Sequence, residues 1–177
     1  GRLEEAINVY NKYILLNPNN HIVYNNKGNV LQAQGKLEEA VKYFKKAISL
    51  KSDYADAYNN IGVVFQAQGM LDKSIKEYKK AILYNCSYAE AYNNLGTALK
   101  DQGKLDESIK AFKKSILLKE NYAEAYSNMG LSLQSQGKLD TAIKVHKKAI
   151  LFKPDHPEAY KNLGNALYEM GKLEESI

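Results

Sequence analysis

The sequence predicts an all-α fold, a solenoid of antiparallel helix pairs, and three observations predict it. Glycine is periodic: Gly1, Gly35, Gly69, Gly103, Gly137 and Gly171 stand 34 residues apart, as do Gly28, Gly62, Gly96, Gly130 and Gly164, which uses all eleven glycines of the 177 residues. Each unit carries two apolar stripes at helical spacing. No alternating strand pattern occurs anywhere. A fixed period of this length marks stacked helical units that bury their faces against one another.

With the unit numbered from His21, units begin at His21, Ala55, Ala89, Ala123 and Pro157. The first helix of each, helix A, is predicted by apolar residues at positions 4, 7, 8 and 11; in the third unit these are Tyr92, Leu95, Gly96 and Leu99. Gly at position 15 falls where a helix C-cap needs positive φ. The second helix, helix B, is predicted by the stripe Leu105, Ile109, Phe112 and Ile116. Its first turn holds Asp106 and Glu107 and its later turns hold Lys110, Lys113 and Lys114, the order that the helix dipole favours. Glu38–Lys42, Asp72–Lys76, Asp106–Lys110 and Asp140–Lys144 are expected to pair along helix B. Pro18 and Pro154 sit in turns between units, and Pro157 suits a first helical turn. The chain therefore divides into helix B of a partial repeat (1–20), four full repeats (21–54, 55–88, 89–122, 123–156) and a partial repeat (157–177).

Composition narrows the function classes. Apolar residues make up 45% and charged residues 25%, a globular balance. No apolar run approaches the ~20 residues of a membrane span, so no membrane insertion is expected. The opening residues carry no leader-like pattern. The single cysteine, Cys86, rules out an internal disulfide and a multi-cysteine metal site, and suits a reducing compartment such as the cytoplasm. His21, His146 and His156 lack partners at metal-ligand spacing, and His146 falls in a core slot. With every glycine serving the repeat, none remains for a phosphate loop. No nucleophile elbow or catalytic carboxylate pair stands out. Neither cofactor nor enzymatic activity is expected.

The unit resembles the tetratricopeptide repeat. The resemblance rests on the 34-residue period, on Tyr24, Tyr58, Tyr92, Tyr126 and Tyr160 at position 4, and on Gly at position 8. It continues with small residues at position 20 (Ala40, Ser74, Ser108, Ala142, Ser176) and position 27 (Ala47, Ala81, Ser115, Ala149). Position 24 is aromatic in Tyr10, Phe44, Tyr78 and Phe112. Departures are Tyr13 at 27, His146 at 24, Lys27 in an apolar slot, and Ser52, Cys86 and Glu120 where the family has Pro. The resemblance implies a right-handed superhelix with the A helices lining its concave face, and a role as a protein-interaction scaffold.

The face of helix A opposite its apolar stripe then supplies the candidate site. Position 6 is Asn in every unit (Asn26, Asn60, Asn94, Asn128, Asn162), and position 5 gives Asn25, Asn59, Asn93, Ser127 and Lys161. Asn29, Thr97, Asn165 and Lys100 extend the row, and Asp56, Glu90 and Glu124 flank it. An amide offers two donors and an acceptor, so such a row can pair with both polar groups of an extended peptide backbone. It is similar to the asparagine ladder in the repeat domain of O-linked N-acetylglucosamine transferases. The plain alternative is a tolerated polar surface row. Its charges are mainly acidic, adding Asp101, Glu158 and Glu169, whereas the chain carries +5. A neutral to basic extended peptide is the expected partner, with helix B lysines on the other face.

The clamp with which co-chaperones of this family hold acidic tails needs Lys at 5 and Asn at 9, followed by matching units. Only Lys161 and Asn165 fit it. A sister family of 35-residue helical repeats reads RNA, but the exact 34-residue period, Gly at 8 and the acidic row argue against a nucleic-acid partner. Two alternatives stand beside the scaffold: the substrate-selecting arm of a larger enzyme such as a glycosyltransferase, and a structural spacer that stacks head to tail through uncapped ends.

Overall fold

A computed structural model describes residues 1–171. It holds ten α-helices: α1 (Arg2–Leu16), α2 (His21–Ala33), α3 (Leu37–Leu50), α4 (Ala55–Ala67), α5 (Leu71–Tyr84), α6 (Ala89–Asp101), α7 (Leu105–Leu118), α8 (Ala123–Ser135), α9 (Leu139–Phe152) and α10 (Pro157–Glu169). No strand occurs among the described residues. The helices form two compact units, α1–α5 within Gly1–Cys86 and α6–α10 from Ser87 onward. In each unit every helix packs on its sequence neighbour, and successive A helices also touch: α2 on α4, α6 on α8, α8 on α10.

Helix starts and stops follow from local chemistry. The A helices begin at the residues that open the periodic units, and Pro157 sits in the first turn of α10, where its missing N–H costs nothing. Helix A ends through a glycine turn. Gly35 takes φ 75° and its N–H bonds to Gln32 O at 2.9 Å, while the next N–H, of Lys36, reaches back to Leu31 O at 2.9 Å. This is the Schellman arrangement, and its left-handed residue favours glycine. Met70 to Phe65, Lys104 to Leu99 and Lys138 to Leu133 repeat the longer bond.

The other glycine series serves packing. Gly28 faces Phe44 and Gly62 faces Tyr78 in the first unit; Gly96 faces Phe112 and Gly130 faces His146 in the second. A Cβ on Gly96 would lie 2.6 Å from Phe112 Cε1. The rings of Phe44, Tyr78, Phe112 and His146 at position 24 are fully buried, whereas Tyr10 is half-buried, and the small residues at 20 and 27 that flank the four are buried too, from Ala40 and Ala47 to Ala142 and Ala149. Ser176 lies outside the described residues.

Where the buried ring is polar, helix A supplies a partner. The Tyr78 hydroxyl donates to Gln66 Oε1 at 2.8 Å, and His146 Nε2–H donates to Gln134 Oε1 at 2.9 Å. His146 Nδ1 is buried without a partner. Burial therefore disfavours the imidazolium and lowers the His146 pKa to about 4.

Other departures also find a reason. The hydroxyls of Tyr24 and Tyr58 donate to the main-chain carbonyls of Pro18 and Ser52, each at 3.1 Å. A carbonyl is common to all residues, so Ser can stand where the family has Pro. Tyr160, expected in the core stripe, is 52% exposed in the last described helix. Lys27 is buried, and its ammonium donates to Asn11 Oδ1 and to the Tyr43 hydroxyl. Glu38 and Asp106 do not pair with Lys42 and Lys110 along helix B. They accept instead from Gln68 Nε2 (3.3 Å) and Gln136 Nε2 (2.8 Å) of the following repeat, as Glu4 accepts from Gln34 (3.0 Å). A neutral amide holds these acids where a flexible lysine would pay side-chain entropy for little net gain.

Two outcomes follow from the core. Gly96→Ala gains helix propensity but drives a methyl into Phe112, and chemical denaturation should show a net loss of about 1–3 kcal/mol. The unfolded chain protonates His146 near the ordinary 6.5, whereas the folded chain resists until about 4, so its contribution is complete above 6.5 and is lost as pH falls through that window. His146→Phe, the residue type at two equivalent positions, should remove on the order of 3 kcal/mol of acid sensitivity between those limits, read from denaturant midpoints at pH 7 and pH 4.5.

Candidate functional site

The outward face of helix A is less open than the helical wheel predicts. At position 5, Asn25, Asn59, Asn93 and Ser127 are 4–8% exposed. At position 6, Asn26, Asn60, Asn94 and Asn128 are half-buried, and Asn162 is buried. Asn29, Asn165 and Lys161 are exposed; Thr97 and Lys100 are half-buried. Asp56, Glu90 and Glu124, one turn earlier at position 2, are exposed.

The cause of the burial is that, within each unit, successive A helices lie against one another and their amides meet. Asn60 Nδ2 donates to Asn25 Oδ1 and to Asn29 Oδ1, both at 3.0 Å, in the first unit. In the second, Asn128 Nδ2 donates to Asn93 Oδ1 at 3.2 Å, and Asn162 Nδ2 donates to Ser127 Oγ at 3.1 Å. In these three pairs position 6 donates to position 5 of the repeat before it, 35 residues away. The recurring Asn was legible in the sequence; this pairing was not, because nothing in a helical wheel says which neighbouring helix a polar row meets.

The pairing polarises the row. Asn60 Nδ2 makes two bonds and Asn128 Nδ2 one, all to the preceding repeat, while the Oδ1 atoms of these half-buried residues accept no hydrogen bond from the described residues. Carboxylates share this face of the A helices, and Glu124 and Glu158 line one cleft with Asn128. Glu158 pairs with Lys161, Glu90 with Lys119 at 3.7 Å and Asp101 with Lys100 at 2.7 Å. Asp56 and Glu124 have no lysine within ion-pair distance among the described residues. In the second unit the face deepens into a cleft of about 320 Å³ where Glu124, Asn128 and Leu131 of α8 meet Glu158 and Lys161 of α10. Leu131, an isolated apolar side chain, joins this cleft unforeseen by the sequence, as does His156, which the sequence sets aside as a metal ligand and does not place on this face. Among the described residues no three His, Cys, Asp or Glu cluster to hold a metal, and no helix is long and apolar enough to cross a membrane.

A family model described as "TPR repeat" matches residues 1–35, 28–69, 67–103, 96–137 and 133–171. No curated protein is similar enough in sequence to match the chain. Among solved structures, YrrB, described as a TPR protein with an unusual peptide-binding site, is similar at TM-score 0.75 and 26% identity, over 95% of this chain and 87% of that one. MamA protein is similar at TM-score 0.76 and 28% identity, over 88% and 85%. A chain of the APC/C hetero-tetramer Cut9–Hcn1 shares the fold at TM-score 0.85 and 22% identity, over 93% of this chain and 33% of that one.

Asn128→Ala should leave the Asn93 carbonyl oxygen buried without its donor, at a cost of about 1–3 kcal/mol in thermal or chemical unfolding. Asn29→Ala, at an exposed position, should cost well under half of that.

Proposed function

The chain belongs to the tetratricopeptide repeat family, and from that premise we propose that it holds an extended, neutral to basic peptide along the outer faces of its A helices. Family and structural neighbours support a protein-interaction scaffold as the broader role. The finer reading is carried by one observation: Asn60 and Asn128, at position 6, donate to the preceding repeat through Nδ2, and their Oδ1 atoms accept no hydrogen bond from the described residues, on a face that also carries carboxylates. Such a face complements hydrogen-bond donors and cations. The Oδ1 atoms of Asn60 and Asn128 accept backbone N–H groups of the peptide, and Asp56 and Glu124 meet its Lys or Arg side chains. The buried Asn25, Asn59, Asn93 and Ser127 set the row's geometry, and the more exposed Asn26, Asn29, Thr97 and Asn165 supply its margins. YrrB, whose description names a peptide-binding site, lends this reading an analogy of fold.

The test is fluorescence anisotropy with a labelled extended peptide rich in Arg and Gly. Asp56→Lys with Glu124→Lys should weaken its binding roughly tenfold or more, with a smaller effect at high salt. Equal binding by the two proteins would place the contact elsewhere.

A further inference from the structure

The helix B side of the molecule carries chemistry that the A-helix row does not use. In the first unit a cleft of about 510 Å³ opens between α3 and α5, with α4 beneath it. Its floor is apolar: Ile48, Tyr58, Ile61 and Phe65. Its rim holds Lys45, Lys73, Lys76 and Lys80. Lys73 Nζ lies 5.7 Å from the Phe65 ring centre, and Lys80 Nζ lies 5.3 Å from that of Tyr58. The one carboxylate there, Glu77, is already engaged: both its oxygens accept from Lys80 Nζ, at 2.9 and 3.1 Å. Four lysines against one glutamate leave the rim strongly positive.

The second unit builds a cleft of the same kind independently, of about 430 Å³ between α7 and α9. Tyr126 again forms the floor, stacked on Phe152 with centroids 5.4 Å apart. Lys113 and Lys148 stand on the rim with a single carboxylate, Glu120, and Leu117 at the mouth is 71% exposed. The recurrence follows from the repeat, which places Tyr at position 4 and Lys at positions 25 and 26 in each of these pairs.

We propose that these clefts dock an acidic segment of a partner protein, one that carries a large apolar side chain flanked by Asp or Glu. The apolar side chain enters over the tyrosine, and the flanking carboxylates meet the lysine rim. A recessed aromatic floor suits a single protruding side chain, whereas a lipid surface presents none. Charge complementarity selects the opposite partner from that of the A-helix row, so the two sites are independent.

The test uses the whole chain and a labelled peptide in which one Phe is flanked on both sides by Glu. Binding is followed by anisotropy for the wild type and for a variant combining Lys73→Glu, Lys76→Glu, Lys113→Glu and Lys148→Glu, with circular dichroism to verify the fold. The expected result is binding by the wild type that weakens roughly tenfold or more in the variant. It should also weaken when the Phe becomes Ser, and persist in Lys36→Glu, which lies outside both clefts. Lys→Gln at the same four positions keeps the question decidable if the charge-reversed protein folds poorly, and should show an intermediate loss. No binding by the wild type, or binding unchanged in both lysine variants, would overturn the proposal. Capture of phosphatidylserine vesicles in place of the peptide would overturn it as well.

Discussion

The fold hangs on one contact: a glycine in helix A against a buried ring in helix B. At Gly28, Gly62, Gly96 and Gly130 the absent side chain is the space that the ring at position 24 fills. Without that approach the pair cannot close, the alanines and serines at positions 20 and 27 lose their neighbours, and the polar row on the outer face of helix A loses its register. Helix propensity opposes a mid-helix glycine by about 1 kcal/mol. Close packing outweighs it, because a well-packed core tolerates extra volume badly. The same contact explains how His146 can stand where the other repeats have Phe or Tyr. The slot asks for a flat ring of limited size, and Gln134 answers its polar edge.

Much of this was legible in the sequence. Two glycine series with one period gave both the helix ends and the close contacts, since one series needs positive φ and the other needs absent volume. Helix starts coincided with the unit numbering because Pro and polar turn residues fall between the apolar stripes. What escaped was the set of side-chain contacts made between different helices. Glu38 and Asp106 were read as helix-internal partners of lysines because i, i+4 spacing is visible in a string; their amide donors, Gln68 and Gln136, stand 30 residues downstream. Lys27 falls in an apolar slot, and its ammonium is held there by Asn11 and Tyr43, from two different helices.

The asparagine row shows the same limit on the functional side. From the sequence it offers donors and acceptors alike. Packing of successive A helices engages the Nδ2 groups of Asn60, Asn128 and Asn162, so acceptor oxygens and neighbouring carboxylates weigh more in the surface that remains. The helix B side is its complement, with lysines ringing aromatic floors. A chain with modest net charge thus separates its charges onto two faces of each helix pair, and each face selects its own kind of ligand.

The amide pairing between repeats has an evolutionary corollary. A donor at position 6 needs an acceptor at position 5 of whichever unit happens to precede it, and Asn25, Asn93 and Ser127 all serve. The joint therefore asks only for a small side chain with an acceptor oxygen, which the ammonium of Lys161 at the same position does not offer. Units that keep Asn or Ser there can be duplicated, lost or shuffled by recombination at the 34-residue period without orphaning this hydrogen bond, so array length is free to drift among them.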